Sequence, residues 1–302
     1  MYKTLLLIIS NILSLHIQYF HAINDISQYS LEYVSSEICN IERKPYNELS
    51  SFNFQLPDHP VVFFRDSHDK STSPLKLMAS REYLLKHHNL TMVKLTSSNS
   101  YSQGETTLSL GDYIYHHVDN TSTGPASESL YLFGGNYDGI WKEFANIYES
   151  PPCKYCDKAG AKTFGIGGQG SGVSFHLHGP GFSEPLVGGK RWFLFPPRLR
   201  ELVSLSIGPN TTALSWLHSQ YPLLWGSDYS TGVYSNSSCA DPGPLSLSPE
   251  QRRQLGEGLQ ECQVAPGELL FFPAMWMHAT LNTAPYNVFV SVFLDTQLMR
   301  ED

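Results

Sequence analysis

Positive charge is scarce in this 302-residue chain: 20 lysines and arginines stand against 28 aspartates and glutamates, for a net charge of −8. No basic cluster concentrates what there is, which excludes a nucleic-acid surface built on dense Lys and Arg. Long apolar runs are missing beyond the N-terminus, so no later stretch is suited to crossing a bilayer as a helix. Internal repeats and charge-run linkers are also absent. Five cysteines allow two disulfides and leave one over.

Residues 1–22, MYKTLLLIISNILSLHIQYFHA, read as a secretory signal peptide. Lys3 supplies the positive start, Leu5 to Ile17 the apolar core, and Ala22 a small residue for cleavage. Residues 23–302 then form a mature chain long enough for one large β domain. Four sequons, at Asn89, Asn120, Asn210 and Asn236, fit the same route and predict solvent-facing backbone. Met299 to Asp302 carries no KDEL-type signal to separate retention from export; the expected location is the lumen of the endoplasmic reticulum, with export as the alternative. In that oxidising setting Cys239 and Cys262, which bracket a polar insertion, are expected to pair. Cys153 and Cys156 form a CxxC read as a structural bridge, because Asp157 and a Gly-rich run follow where a redox pair wants a helix. Cys39 can join either set.

Helix and strand signals alternate in short pieces. A short helix is expected near Tyr46 to Ser50 and a strand over Pro60 to Arg65. Ser80 caps a helix to His87, and Leu90 to Leu95 is a strand. Thr107 to Val118 reads as a helix, Leu130 to Phe133 as a strand and Trp141 to Tyr148 as a helix. Thr211 to Tyr221 is helical. Ser248-Pro-Glu-Gln251 opens another helix with a capping residue, a proline at the first position and Gln for a capping box. Asn287 to Leu294 is the last strand. His87, His88, His116 and His117 are read as surface residues. Gly165, Gly167 and Gly170 spell GxGxxG, but a β run follows instead of a helix, so close strand approach is the better reading than dinucleotide binding.

The chemistry gathers in Ser174 to Pro197, SFHLHGPGFSEPLVGGKRWFLFPP. Alternate strand residues share a face, so His176 and His178 aim their rings at one point. Converging imidazoles begin a metal site, and His278, after the strand closed by Pro273, is the third candidate. Many short strands with helices mainly in the first half indicate a mainly β jelly roll. It carries a helical N-terminal elaboration (23–129), a core over 130–296 and one helical insertion.

His176-x-His178, Lys190-Arg-Trp-Phe-Leu-Phe-Pro-Pro197, Pro266-Gly-Glu-Leu-Leu-Phe-Phe-Pro273 and Trp276-x-His278 together resemble the JmjC domain family of the cupin superfamily. The resemblance spans most of the mature chain and implies a double-stranded β-helix that binds Fe(II) and 2-oxoglutarate. It places the metal histidines on His176 and His278. It also places the cosubstrate's far carboxylate on Lys190, assisted by Tyr131 and more weakly by Ser291, and it implies a protein substrate or partner. Two positions depart from it. His178 stands where the family has a carboxylate, and Val173 where it has Thr. Three imidazoles leave the centre one unit more positive, which suits Zn and disfavours the higher iron oxidation states that hydroxylation needs. The expectation is therefore a regulatory or interaction protein with weak or lost oxygenase chemistry, and the alternative is a working protein hydroxylase. The same residues also resemble metal-binding cupins with three histidines and one glutamate, commonly holding Mn. Glu184 would be the fourth ligand there, although it lies one residue too far along and a one-residue slip turns a strand side chain over.

Overall fold

The computed structural model describes residues 38–51, 56–66, 73–97, 105–119, 130–133, 140–153, 156, 159–208, 211–225 and 247–294. In chain order these form β1 (Glu42–Pro45), a 3-10 turn (Tyr46–Ser51), β2 (Val61–Phe64), α1 (Ser73–Met78), α2 (Arg81–His88), β3 (Met92–Ser97) and β4 (Thr106–Ser109). Next come α3 (Leu110–Tyr113) with a π turn (Ile114–Val118), β5 (Leu130–Phe133), α4 (Ile140–Ile147), β6 (Ala159–Gly167), β7 (Gly172–His176), β8 (Gly181–Val187) and β9 (Lys190–Phe195). The chain continues through α5 (Arg200–Ser206), α6 (Ala213–Ser219), α7 (Pro249–Gly258), β10 (Gln260–Val264), β11 (Glu268–Phe272), β12 (Met277–Asn282) and β13 (Asn287–Leu294).

The strands make two sheets, one ordered β1-β2-β11-β8-β13-β6-β5-β3-β4 and the other β10-β9-β12-β7. Sequence-distant strands lie side by side, as when β12 sets His278 opposite His176 of β7 and Leu194 of β9. This is the mainly β jelly roll that the strand pattern predicted. Period-two alternation divides its core. Phe164, Ile166, Phe182, Leu186, Val290 and Val292 face outward from the large sheet and pack with Leu84, Tyr113, Trp141 and Phe144 of the helical layer. Phe193, Phe195, Met277, Ala279 and Leu281 face outward from the small sheet onto Val203, Trp216, Leu217 and Leu255. The opposite faces meet between the sheets, where Val62, Trp192, Leu194, Leu270 and Phe272 close one part of the interior.

Local signals decide the helix starts. The Ser80 hydroxyl accepts from Tyr83 N–H, and Ser248 and Gln251 form a complete capping box at α7. The helix expected over Thr107–Val118 begins later, because Thr106 to Ser109 pairs antiparallel with Leu95 to Met92 and Ser109 then caps α3. The N-terminal segment supplies more than helices, since β1 and β2 extend the large sheet beyond β11. Gly172 is required by a close approach: a Cβ there would collide with the Thr280 carbonyl on β12.

Two disulfides lie in the described residues. Cys153 pairs with Cys156, whereas Cys262 pairs with Cys39, 223 residues away, and not with Cys239. The reason is strand geometry: Cys39 forms an antiparallel bridge with Cys262, and a Cα separation of 4.0 Å leaves no reach for another partner. Cys239, Asn120, Asn210, Asn236 and the proposed leader lie outside the described residues. Asn89 is exposed at the end of α2. No helix among the described residues is long and apolar enough to cross a membrane.

Candidate metal centre

β7 sends Phe175 outward against Phe195 and Trp216, so its neighbour His176 turns inward. His178 follows just beyond the strand, and His278 enters from β12. Ring centroids are 4.3 Å apart for His176–His278, 4.8 Å for His178–His278 and 5.2 Å for His176–His178. The potential ligand atoms of the three all lie within 4.8 Å of one another.

Their tautomers follow from the backbone. His176 Nδ1 is 2.8 Å from the Ser174 carbonyl, His178 Nδ1 2.7 Å from that of Gly179, and His278 Nδ1 2.8 Å from that of Trp276. A carbonyl only accepts, so each Nδ1 carries the hydrogen and donates it, and each Nε2 keeps its lone pair for a metal. This is the arrangement of second partners that orients metal-ligating imidazoles. The rings sit among aromatics: Phe272 and Phe293 lie edge-on to His178, while Phe272 and Trp192 flank His278. Burial in that shell pulls the His176 pKa down to about 4 and lowers that of His178. His278 is held well below its ordinary value by burial first and by the two neighbouring rings second. Three neutral imidazoles facing one point fit a divalent cation.

Lys190 opens β9 on the same inward face as Trp192. It is buried, donates to the Tyr131 hydroxyl at 2.9 Å, and sits 3.1 Å from the centroid of the Phe289 ring. Burial lowers its pKa well below the usual lysine value. Lys190 and His176 interact electrostatically, so both belong to one interior. Among the described residues no carboxylate pairs with this lysine. Ser291 donates to Ser183 at 3.2 Å across the β13–β8 pairing, and Thr163 faces Ser291 from β6. The buried Thr163 Oγ1 and Asn282 Oδ1 have no hydrogen-bond partner among the described residues. A buried lysine amine with no carboxylate partner among the described residues, on the same inward side as unfilled polar atoms, is a chemical fit to a small carboxylate that would favour its charged form.

Asn282 was not among the candidate cosubstrate residues. It shares the inward face with His278 and Thr280, donates to Ser171 at 3.0 Å, and lies beside the Tyr131 ring at Gly167. Counting by two from His278 along β12 is the signal that finds it. Glu184 needs the opposite correction. It shares the outward parity of Phe182 and Leu186, is fully buried, and accepts from Arg65 at 3.2 Å and from the Tyr148 hydroxyl at 3.1 Å. The extra residue before it turns it through the sheet, away from the histidines, so it is not a fourth ligand.

Comparison with known proteins agrees with this architecture. The family model described as "Cupin-like domain" matches residues 96–299. JmjC domain-containing protein 8 of Homo sapiens is 34% identical over 261 residues, covering 85% of this chain and 84% of that protein. The proteins of the same name from Rattus norvegicus and Mus musculus are each 34% identical over 264 residues, covering 86% of this chain and 84% of theirs. The chain belongs to the cupin-like JmjC domain family.

Proposed function

We propose that this is a secretory-pathway JmjC-family protein whose three-histidine pocket binds a divalent metal, zinc in preference to iron, and which acts by binding a protein partner more than by oxygenating one. The observation that carries this reading is the ligand set: three neutral imidazoles converge, and no carboxylate among the described residues joins them. A carboxylate ligand would cancel one of the metal's positive charges, whereas three imidazoles cancel none. Such a centre holds Zn(II) well and disfavours the iron oxidation that an oxygenase requires. The leader-like residues 1–22 and the exposed Asn89 sequon support placement in the endoplasmic reticulum lumen, with export as the alternative.

One observation favours a second reading, an Fe(II) and 2-oxoglutarate-dependent protein hydroxylase. Lys190, with Tyr131 and Asn282 beside it, is a site for the far carboxylate of 2-oxoglutarate. Bound Fe(II) and 2-oxoglutarate would supply the electrons that let dioxygen, the oxidant, hydroxylate a substrate, and the chain would orient both. Metal content by mass spectrometry, on protein purified without chelators, together with 2-oxoglutarate turnover separates the two. Zinc without turnover supports the binding protein, and iron with turnover lost in His176→Ala overturns it. A gain of turnover in His178→Asp would show that the histidine is what silences the chemistry.

A further inference from the structure

We infer that an open cleft beside the metal centre is a docking site for an acidic peptide segment with an adjacent apolar side chain. The cleft encloses about 330 Å³ and is lined by Pro197, Arg198, Arg200, Glu201 and Met275. Two turns build it. One follows β9, where Leu199 N–H bonds the Pro196 carbonyl and its buried side chain anchors the turn. The other joins β11 to β12 and holds Met275 at a φ of 64°, a left-handed conformation that L side chains enter at a cost. Strain of this kind persists only where surrounding structure over-determines it. Here the Met275 N–H donates to the His178 carbonyl at 3.0 Å, so the cleft wall is tied directly to a metal-ligating residue. The side chain it presents is a thioether, 43% exposed, adaptable and apolar.

The chemistry selects the occupant. Arg198 and Arg200 are exposed, and neither forms an ion pair among the described residues. Glu201 is the only acid lining the cleft among the described residues, which leaves that lining net positive on a chain whose total charge is −8. Planar guanidinium groups select carboxylates through paired hydrogen bonds. Pro197 and Met275 supply the apolar contact beside them. An acidic, partly apolar peptide lying here passes next to His178.

This inference deepens the proposed binding function and rests on it for the metal alongside. The test uses the full chain with its metal measured in the same sample. The probe is a fluorescein-labelled decapeptide alternating Glu and Leu, compared with its Gln-and-Leu counterpart by fluorescence anisotropy. Saturable binding of the acidic peptide is expected. It should weaken at least tenfold in Arg198→Glu/Arg200→Glu, weaken with added salt, and be weaker for the Gln peptide. Both arginines are exposed, so the variant should keep its melting temperature; a second variant, Met275→Asn, which removes the apolar side chain without adding charge and tolerates the left-handed backbone, should weaken binding through the apolar contact. No binding, or equal affinity of the double variant for the acidic peptide, overturns the cleft even when metal is present. Binding of the expected pattern without metal upholds the cleft and defeats the metal reading instead.

Discussion

Among the described residues, Arg65, Arg191 and Lys190 have side chains largely withdrawn from water, and they are treated in two different ways. Arg65, behind the large sheet, meets Glu184, which also accepts from the Tyr148 hydroxyl, and lies 3.6 Å from the Tyr46 ring centroid. Arg191, behind the small sheet, meets Glu261 at 2.7 Å, and Tyr221 donates to the same carboxylate at 2.7 Å. Lys190, between the sheets, has a tyrosine hydroxyl and aromatic faces but no carboxylate among the described residues. Outside the barrel a buried charge is answered and becomes structure. Inside it Lys190 has no counter-carboxylate among the described residues, and burial keeps the imidazoles beside it neutral. The contrast separates a scaffold from a site more sharply than burial alone, since all three side chains are largely withdrawn from water.

The largest expected effect breaks a scaffold pair. Glu184→Gln leaves Arg65 buried without its countercharge and should cost about 3–5 kcal/mol in chemical denaturation. A cost below 1 kcal/mol would mean that Arg65 is not held by that pair and would erase the contrast. Next is pH. In the unfolded chain the histidines take protons near pH 6.5, whereas folded His176 resists until about 4. The unfolded state therefore binds more protons in that window, and stability falls as pH falls through it. His176 alone should remove on the order of 3 kcal/mol between pH 7 and 4 in chelator-treated protein. A flat profile would show that the imidazole shell is solvated. Lys190→Met sharpens the comparison from the other side. Removing a buried amine that has no carboxylate partner should stabilise the ligand-free protein by about 1 kcal/mol, while abolishing the thermal protection that 2-oxoglutarate would give under the second reading. If it instead destabilises as Glu184→Gln does, Lys190 belongs to the scaffold. The smallest effect is Met275→Gly, which relieves the left-handed backbone and should add about 1 kcal/mol or less, read as a raised melting temperature.

Features that act over a few residues were legible in advance. Ser80 and Ser248 cap their helices through hydroxyls that bond amides three residues on, and such bonds need no tertiary partner. Asn287–Leu294 reads as a strand from its own composition and is one. The two inward histidines of the central stretch follow from strand alternation, and His278 from its position after a closed strand. Thr106 to Ser109 was misread because its threonines join a strand only through pairing with β3. Glu184 was admitted as a ligand because spacing suggests proximity, whereas the actual register decides the face. The Cys39–Cys262 bridge was hidden by chain distance, as nothing near either cysteine marks the other.

The order of residues alone therefore determined the β architecture, the helix starts and the identity of the three imidazoles, because periodicity and capping are short-range physics. Only folding decided which buried charges find partners. Glu184 reaches Arg65 across 119 residues and Lys190 reaches Tyr131 across 59, and such meetings depend on how the sheets roll together. Desolvation makes those meetings matter: once water is excluded, an ion pair becomes scaffold and an unpaired cation becomes a place to bind.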